Sequence, residues 1–229
     1  MRLPIRPIRA RPEVAVAPSD LVVLPLRGVV IHPGMLRPVA VGRPSSLAAL
    51  KRAEEGELLV GLPQRDPDLE EPQADDLTTV GVRLEIVEIV WLPDGQASVL
   101  VEGAERMRRT GPSRRRGKVV VAPMAPVDEP EITAETLAAA TALDRILREV
   151  TGREGLRDDE HEVVIAPPDD PVRVADHAAG LLELTWQQQL DVLESLDLDD
   201  RLARLTEAAA TTVAKHRLHA EIEARVQAA

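Results

Sequence analysis

The hydrophobic period of the chain changes once, near residues 125–130, and that change bounds the fold. Before it, apolar residues come in short runs or alternate with polar ones, punctuated by Pro and Gly. After it, they recur at steps of three and four. Strands first and helices second define an α+β chain, divided into residues 20–126 and 127–229. No internal repeat is visible.

In the first half, residues 21–26 (LVVLPL) and 36–41 (LRPVAV) read as strands around Pro33-Gly34, a strong turn dipeptide. Residues 45–55 read as a helix, with Leu47, Leu50 and Ala53 at helical spacing behind a Ser cap. Residues 57–62 return as a strand, and 63–76 form a proline-punctuated acidic loop. A long hairpin follows: 80–91, the turn Pro93-Asp94-Gly95, then 97–102. Residues 118–121 are a last strand. Val82, Leu84 and Ile86 alternate with Arg83 and Glu85, but Val87, Ile89, Val90 and Trp91 are apolar on both faces. A bulge, a barrel corner or a second exposed apolar surface gives this pattern.

In the second half, residues 132–150, 172–184 and 186–195 read as helices. Residues 197–229 read as one long helix carrying Leu202, Leu205, Ala209 and Val213, then Leu218, Ile222 and Val226. It reaches Ala229 without a glycine stop, which favours a piece of a longer parent chain over a free-standing protein.

Composition narrows the function. There is no Cys, so disulfides, thiolate metal sites and cysteine nucleophiles are excluded, in keeping with a cytoplasmic setting. No apolar run is long enough to span a membrane. The chain has no Phe or Tyr, and Trp91 and Trp186 are its only aromatic residues, so its cores are aliphatic. Residues 1–19 hold four Arg and one Glu among prolines and read as a disordered basic arm. Residues 127–229 hold ten basic and twenty-three acidic residues, a net of −13 that repels phosphate backbones.

No catalytic constellation is apparent. The only Gly-Lys, Gly117-Lys118, is followed by Val119 and is no P-loop. His216 and His219, near Glu221 and Glu223, read as a solvated helix face rather than a metal site, which needs three converging ligands. His161 reads as part of an acidic loop, His32 as turn chemistry, and His177 as a capping or packing residue. The expectation is therefore a non-enzymatic chain with no catalytic residue, no metal and no cofactor. An Arg cluster (Arg106, Arg108, Arg109, Arg114, Arg115, Arg116, with Lys118) could grip phosphate. Single-strand binders usually add stacking aromatics, and Trp91 is the only one in this half, so a solvated strand edge, or a surface facing the acidic loop 66–76, is the preferred account.

The strings LPLRGVVIHPGMLRPVAVGRPSSLAAL, LLVGLPQRD and DDLTTVGVRLEIVEIVWLPDGQASVLVEGAERMR, in that order and spacing, resemble the N-terminal substrate-binding domain of Lon proteases. The close part spans residues 21–123. A looser part continues around Asp170-Pro171, Ala175-Asp176, 187–198 and Asp200-Arg201-Leu202. The resemblance implies a PUA-like β pseudo-barrel followed by a helical bundle whose last helix runs toward an ATPase ring. It also implies capture of unfolded, damaged or degron-bearing polypeptides for Lon ATPase and protease domains, in cis or in trans. No Ser lies in a Lon-like active-site context. The chain departs from the family in its long basic arm, in Ser113 where an aromatic is common, and in its lack of Phe and Tyr. Capture here must rest on aliphatic contacts.

The candidate substrate-binding residues are Leu26, Met35, Pro38, Trp91 and Leu100. If Val99 and Val101 face the core, Leu100 faces out; if Val39 and Val41 face in, Leu36 and Pro38 share the other face with Ala40. Leu26 ends its strand beside Arg27. Such a patch holds apolar segments without reading sequence, and Met suits promiscuous surfaces. The plainer account is that these residues pack beneath the helix 45–55 or the helical half. Two further expectations belong to other classes: an RNA-binding PUA-like protein using the Arg cluster, and a structural segment that forms a homo-oligomer through its long C-terminal helix.

Overall fold

The computed structural model describes residues 19–128, 131–153 and 169–227. Residues 1–18 of the basic arm, and His161, lie outside them. Seven strands come first: β1 (Ser19–Leu26), β2 (Leu36–Val41), β3 (Leu59–Pro63), β4 (Val80–Trp91), β5 (Ala97–Arg109), β6 (Arg114–Arg116) and β7 (Val119–Pro126). Helix α1 (Pro44–Glu54) lies between β2 and β3. Helices α2 (Ala134–Arg153), α3 (Pro171–Leu181), α4 (Trp186–Glu194) and α5 (Leu198–Gln227) follow β7. Ser19, expected in the arm, is the first residue of β1.

The strand order is β2-β5-β4-β3-β1-β7-β6, and β5 also pairs with β7. Strands β5, β4, β3, β1 and β7 therefore close a barrel, while β2 and β6 are flaps at its seam. Closure is possible because β5 is long and changes partner. Its first part, from Ala97 to Glu102, pairs with β2, and Met107–Arg109 pairs with β7. Gly103 marks the change. A Cβ there would lie 2.3 Å from the carbonyl oxygen of His32, so only glycine admits the His32–Met35 turn. That turn is stitched on by Gly34 N–H to the Gly103 carbonyl (2.8 Å) and Gly103 N–H to the Met35 carbonyl (2.9 Å). Gly34 itself has φ +80°, in the left-handed region that favours glycine.

Strands β1 and β3 are parallel neighbours, joined through α1. Both are buried on two faces, which explains their unbroken apolar runs. Val22, Leu24, Leu26 and Leu59 join one core with the inward residues of β2, β4 and β5; Leu21, Val23, Val60 and Leu62 join a second with Met107 and Met124. The blurred phase of β4 is a bulge, with a register shift between Ile86 and Glu88 that leaves Val87 as the extra residue.

The helices build a third core around Leu143, Leu147, Leu202 and Leu205. Each short helix has a clear start. Asp170 accepts from Arg173 N–H ahead of Pro171 in α3, and Thr185 and Gln188 form a capping box for α4. Helix α4 bolts the two halves together, since Leu190 and Leu193 insert into the barrel core. No described helix is long and apolar enough to cross a membrane.

Candidate functional site

The sheet β2–β5–β4 has an outer face that no described helix covers. Its rows are fixed by register. Leu36 lies opposite Glu102, which lies opposite Glu85; Pro38, Leu100 and Glu88 form the next row; Ala40, Ser98 and Val90 form the third. Leu36 and Val90 are about half exposed, at 49% and 48%. The bulged Val87 is 51% exposed, and Pro38 is exposed. The opposite faces of these strands are buried through Val39, Val41, Val99 and Val101.

The expected site residues separate into three groups. Pro38 and Leu100 are direct cross-strand partners on this face, with Leu100 half-buried. Trp91 is 43% exposed, but it pairs with buried Ala97 and so belongs to the reverse face, at the hairpin end beside exposed Leu92. Met35 is half-buried. Its side chain approaches Gly180 of α3, and its sulfur accepts a hydrogen bond from His32 N–H at 3.2 Å. Leu26 must be corrected. It is 1% exposed, sealed in the barrel core because β1 lies between β3 and β7 and is covered on both faces. It takes no part in any surface. Leu36, Val87 and Val90 complete the face instead; the signal for the two valines was the loss of alternation after Ile86.

The Arg cluster does not form one basic patch. The Arg106 guanidinium is buried and donates to Asp176 (2.8 Å) and to the carbonyls of Val192 (3.1 Å) and Leu193 (2.6 Å). Arg109 donates to the Ala74 carbonyl and Ser113. Arg114 pairs with Asp20, and Arg116 with Glu57. Arg108, Arg115 and Lys118 are left as exposed charges. Four of the seven cations thus fasten the fold.

The seam between barrel and helices is polar and tightly held. Arg65 donates two hydrogen bonds to the Glu194 carboxylate at 2.8 Å each, and Glu194 also accepts from the Thr79 N–H and hydroxyl. Burial works against the Glu194 charge, but these donors outweigh it and hold its carboxyl below the ordinary value. His32 is buried near Arg106 and Arg201, and neither ring nitrogen has a hydrogen-bond partner among the described residues. Burial first, then the two guanidinium charges, pull its imidazole down to about 3. The expectation that His32 is turn chemistry captures its place but not its burial. Among the described residues no group of three His, Asp or Glu is placed to hold a metal ion.

A closed barrel with an apolar outer sheet face, joined to a helical bundle, is an architecture shared with known substrate-binding domains. Solved structures share the fold. The N-terminal domain of the Mycobacterium avium complex Lon protease superposes with a TM-score of 0.67 at 22% identity, covering 84% of this chain and 98% of that one. The Lon N-terminal domain protein from Xanthomonas campestris does so with 0.55 at 22% identity, covering 82% and 96%. The family profile of the ATP-dependent protease La (LON) substrate-binding domain matches residues 20–210, and the chain belongs to that family. It is 30% identical over 203 residues to the Lon protease of Halothermothrix orenii, covering 82% of this chain and 24% of the relative. It is 32% identical over 199 residues to that of Escherichia coli K12, covering 81% and 24%. The chain thus spans about a quarter of the length of these curated relatives.

Proposed function

We propose that the chain captures exposed aliphatic segments of unfolded, damaged or degron-bearing polypeptides for Lon-type ATPase and protease domains, in cis or in trans. The observation that carries this reading is the outer face of β2–β5–β4, where, among the described residues, Leu36, Pro38, Val87 and Val90 are exposed and Leu100 is half-buried. The face has side-chain contacts to offer but a poor edge for strand addition. β2 is the edge strand, and Pro38 in its middle lacks the N–H that a new strand would need. Capture therefore works through apolar side chains and reads little sequence. Each apolar side chain removed from water contributes at most about 1.5–3 kcal/mol before ordering costs, so a single module binds weakly and gains from avidity. A self-association surface belongs on α5, where Leu218, Ile222 and Val226 stay exposed at four-residue spacing.

The test is titration of a fluorescent, reduced and alkylated protein, and of its folded form, against the full chain. Saturable binding of the unfolded form alone is expected. Leu100→Asp should weaken it about tenfold, the effect of replacing one apolar contact by a charge, while the thermal midpoint stays near that of the parent. Undiminished affinity in the variant counts against this face, and absence of binding by the parent chain ends the capture reading.

A further inference from the structure

The exposed carboxylates on this face are not placed at random. Glu102 stands beside Leu36, and Glu88 stands beside Leu100, in adjacent rows of the same outer surface. Both are exposed, and neither has an ion-pair or hydrogen-bond partner among the described residues. Glu85, next to Glu102, is bridged to Arg83 at 3.2 Å yet remains 59% exposed. Arg83 is the basic residue that β4 contributes here, and it is already matched by Glu85 and by Glu105 at 2.6 Å. Arg37, on β2, pairs with buried Val101 and lies on the reverse face, lining a cleft of about 210 Å³ with Asp176 and His177. The outer face is therefore apolar and net negative.

We propose that this face selects aliphatic segments that carry Arg or Lys close by, and disfavours those flanked by Asp or Glu. The inference rests on the capture reading and names its substrate class. Apolar side chains supply the non-specific adhesion, and Glu88 and Glu102 supply the preference. Geometry favours an extended guest. Alternate side chains of an extended chain repeat at about 6.6 Å, the same pitch that separates Leu100 from Glu102 on β5. An aliphatic side chain set over Leu100 thus places a basic residue two positions away over Glu102. Acidic flanks meet unpaired carboxylates instead, which raises the cost of docking.

The test uses the full 229-residue chain and three synthetic peptides with one Leu/Val/Ala core and Arg, Ser or Glu flanks, read by fluorescence anisotropy. At about 20 mM salt the Arg-flanked peptide should bind roughly five- to tenfold tighter than the Ser-flanked one, as two exposed pairs allow, and the Glu-flanked peptide more weakly than either. The difference should collapse at about 0.5 M salt. Joint Glu88→Gln and Glu102→Gln substitution should bring the Arg-flanked affinity down to that of the Ser-flanked peptide. Equal binding of all three peptides overturns the charge preference and leaves capture standing. Failure of all three to bind overturns capture itself. A preference that survives the double substitution, or tight binding of an Arg/Ser peptide with no aliphatic core, assigns the effect to the acidic helices and overturns the proposal.

Discussion

His32 occupies a site that admits only a neutral imidazole. Its ring is buried with the Arg106 and Arg201 charges near it, and its folded-state value of about 3 lies far below the 6.5 of an exposed histidine. Between those values the unfolded chain binds a proton that the folded chain refuses, so stability falls as pH drops below about 6.5. The slope from this group approaches about 1.4 kcal/mol per pH unit. His177, also lowered by burial, adds to the slope in the same direction, and Glu194 adds its own loss only as pH falls through the ordinary carboxylate value and below it. Urea midpoints at pH 7.5 and 5.0 should therefore drop more steeply in the parent than in His32→Phe, by nearly one proton's worth of slope. Equal slopes would mean that His32 is not held neutral. At this scale alternation identified Pro38 and Leu100 as outward, because β2 and β5 each have one solvated face. Leu26 is expected outward from its position at the strand end beside Arg27, and this fails because β1 is buried on both sides and carries no phase to read.

Among the elements, β5 departs most from its expected extent. Its sequence reads as a strand only to Glu102, because Gly103 and the charged residues after it, Glu105, Arg106, Arg108 and Arg109, end the apolar alternation. The strand continues to Arg109 because its second part keeps β4 as a neighbour and gains β7, and because the Arg106 side chain is buried against Asp176. β6 was missed for a similar reason, since Arg114, Arg115 and Arg116 carry no apolar signal and owe their place to pairing with β7. β2 and β4, bounded by strong turns, matched their expected limits. The partner exchange hinges on Gly103. Gly103→Ala would drive a methyl into the His32 carbonyl, a backbone group that cannot swing aside. The expected loss is about 2–3 kcal/mol, a drop in Tm of roughly 5–10 °C by calorimetry. A melt within a degree or so of the parent would show that the turn yields.

For the whole molecule, we propose that residues 20–126 and 127–229 divide the secondary structure but not the folding unit. The period change near residue 130 is plain in the sequence, whereas contacts across it are not, since Arg106 meets Asp176 seventy residues away and Arg65 meets Glu194 after 129. No local pattern announces such pairs. Without the helices, the barrel loses Leu190 and Leu193 from its core, and the Arg106 guanidinium loses the acceptors that hold it, Asp176 and the carbonyls of Val192 and Leu193. Residues 20–126 expressed alone should show no cooperative thermal transition and should bind a hydrophobic dye. A sharp, reversible melt of that fragment would establish the barrel as self-sufficient.

The proline in the middle of β2 has one more effect. An open sheet border invites neighbouring molecules to zip onto it and grow into fibres, and a protein whose work would bring it near misfolded chains is at particular risk. At Pro38 the border offers no hydrogen to share, so a growing ladder stalls there. Whatever rests on the adjoining surface remains a visitor that can be drawn off lengthwise, and does not become a permanent extra strand.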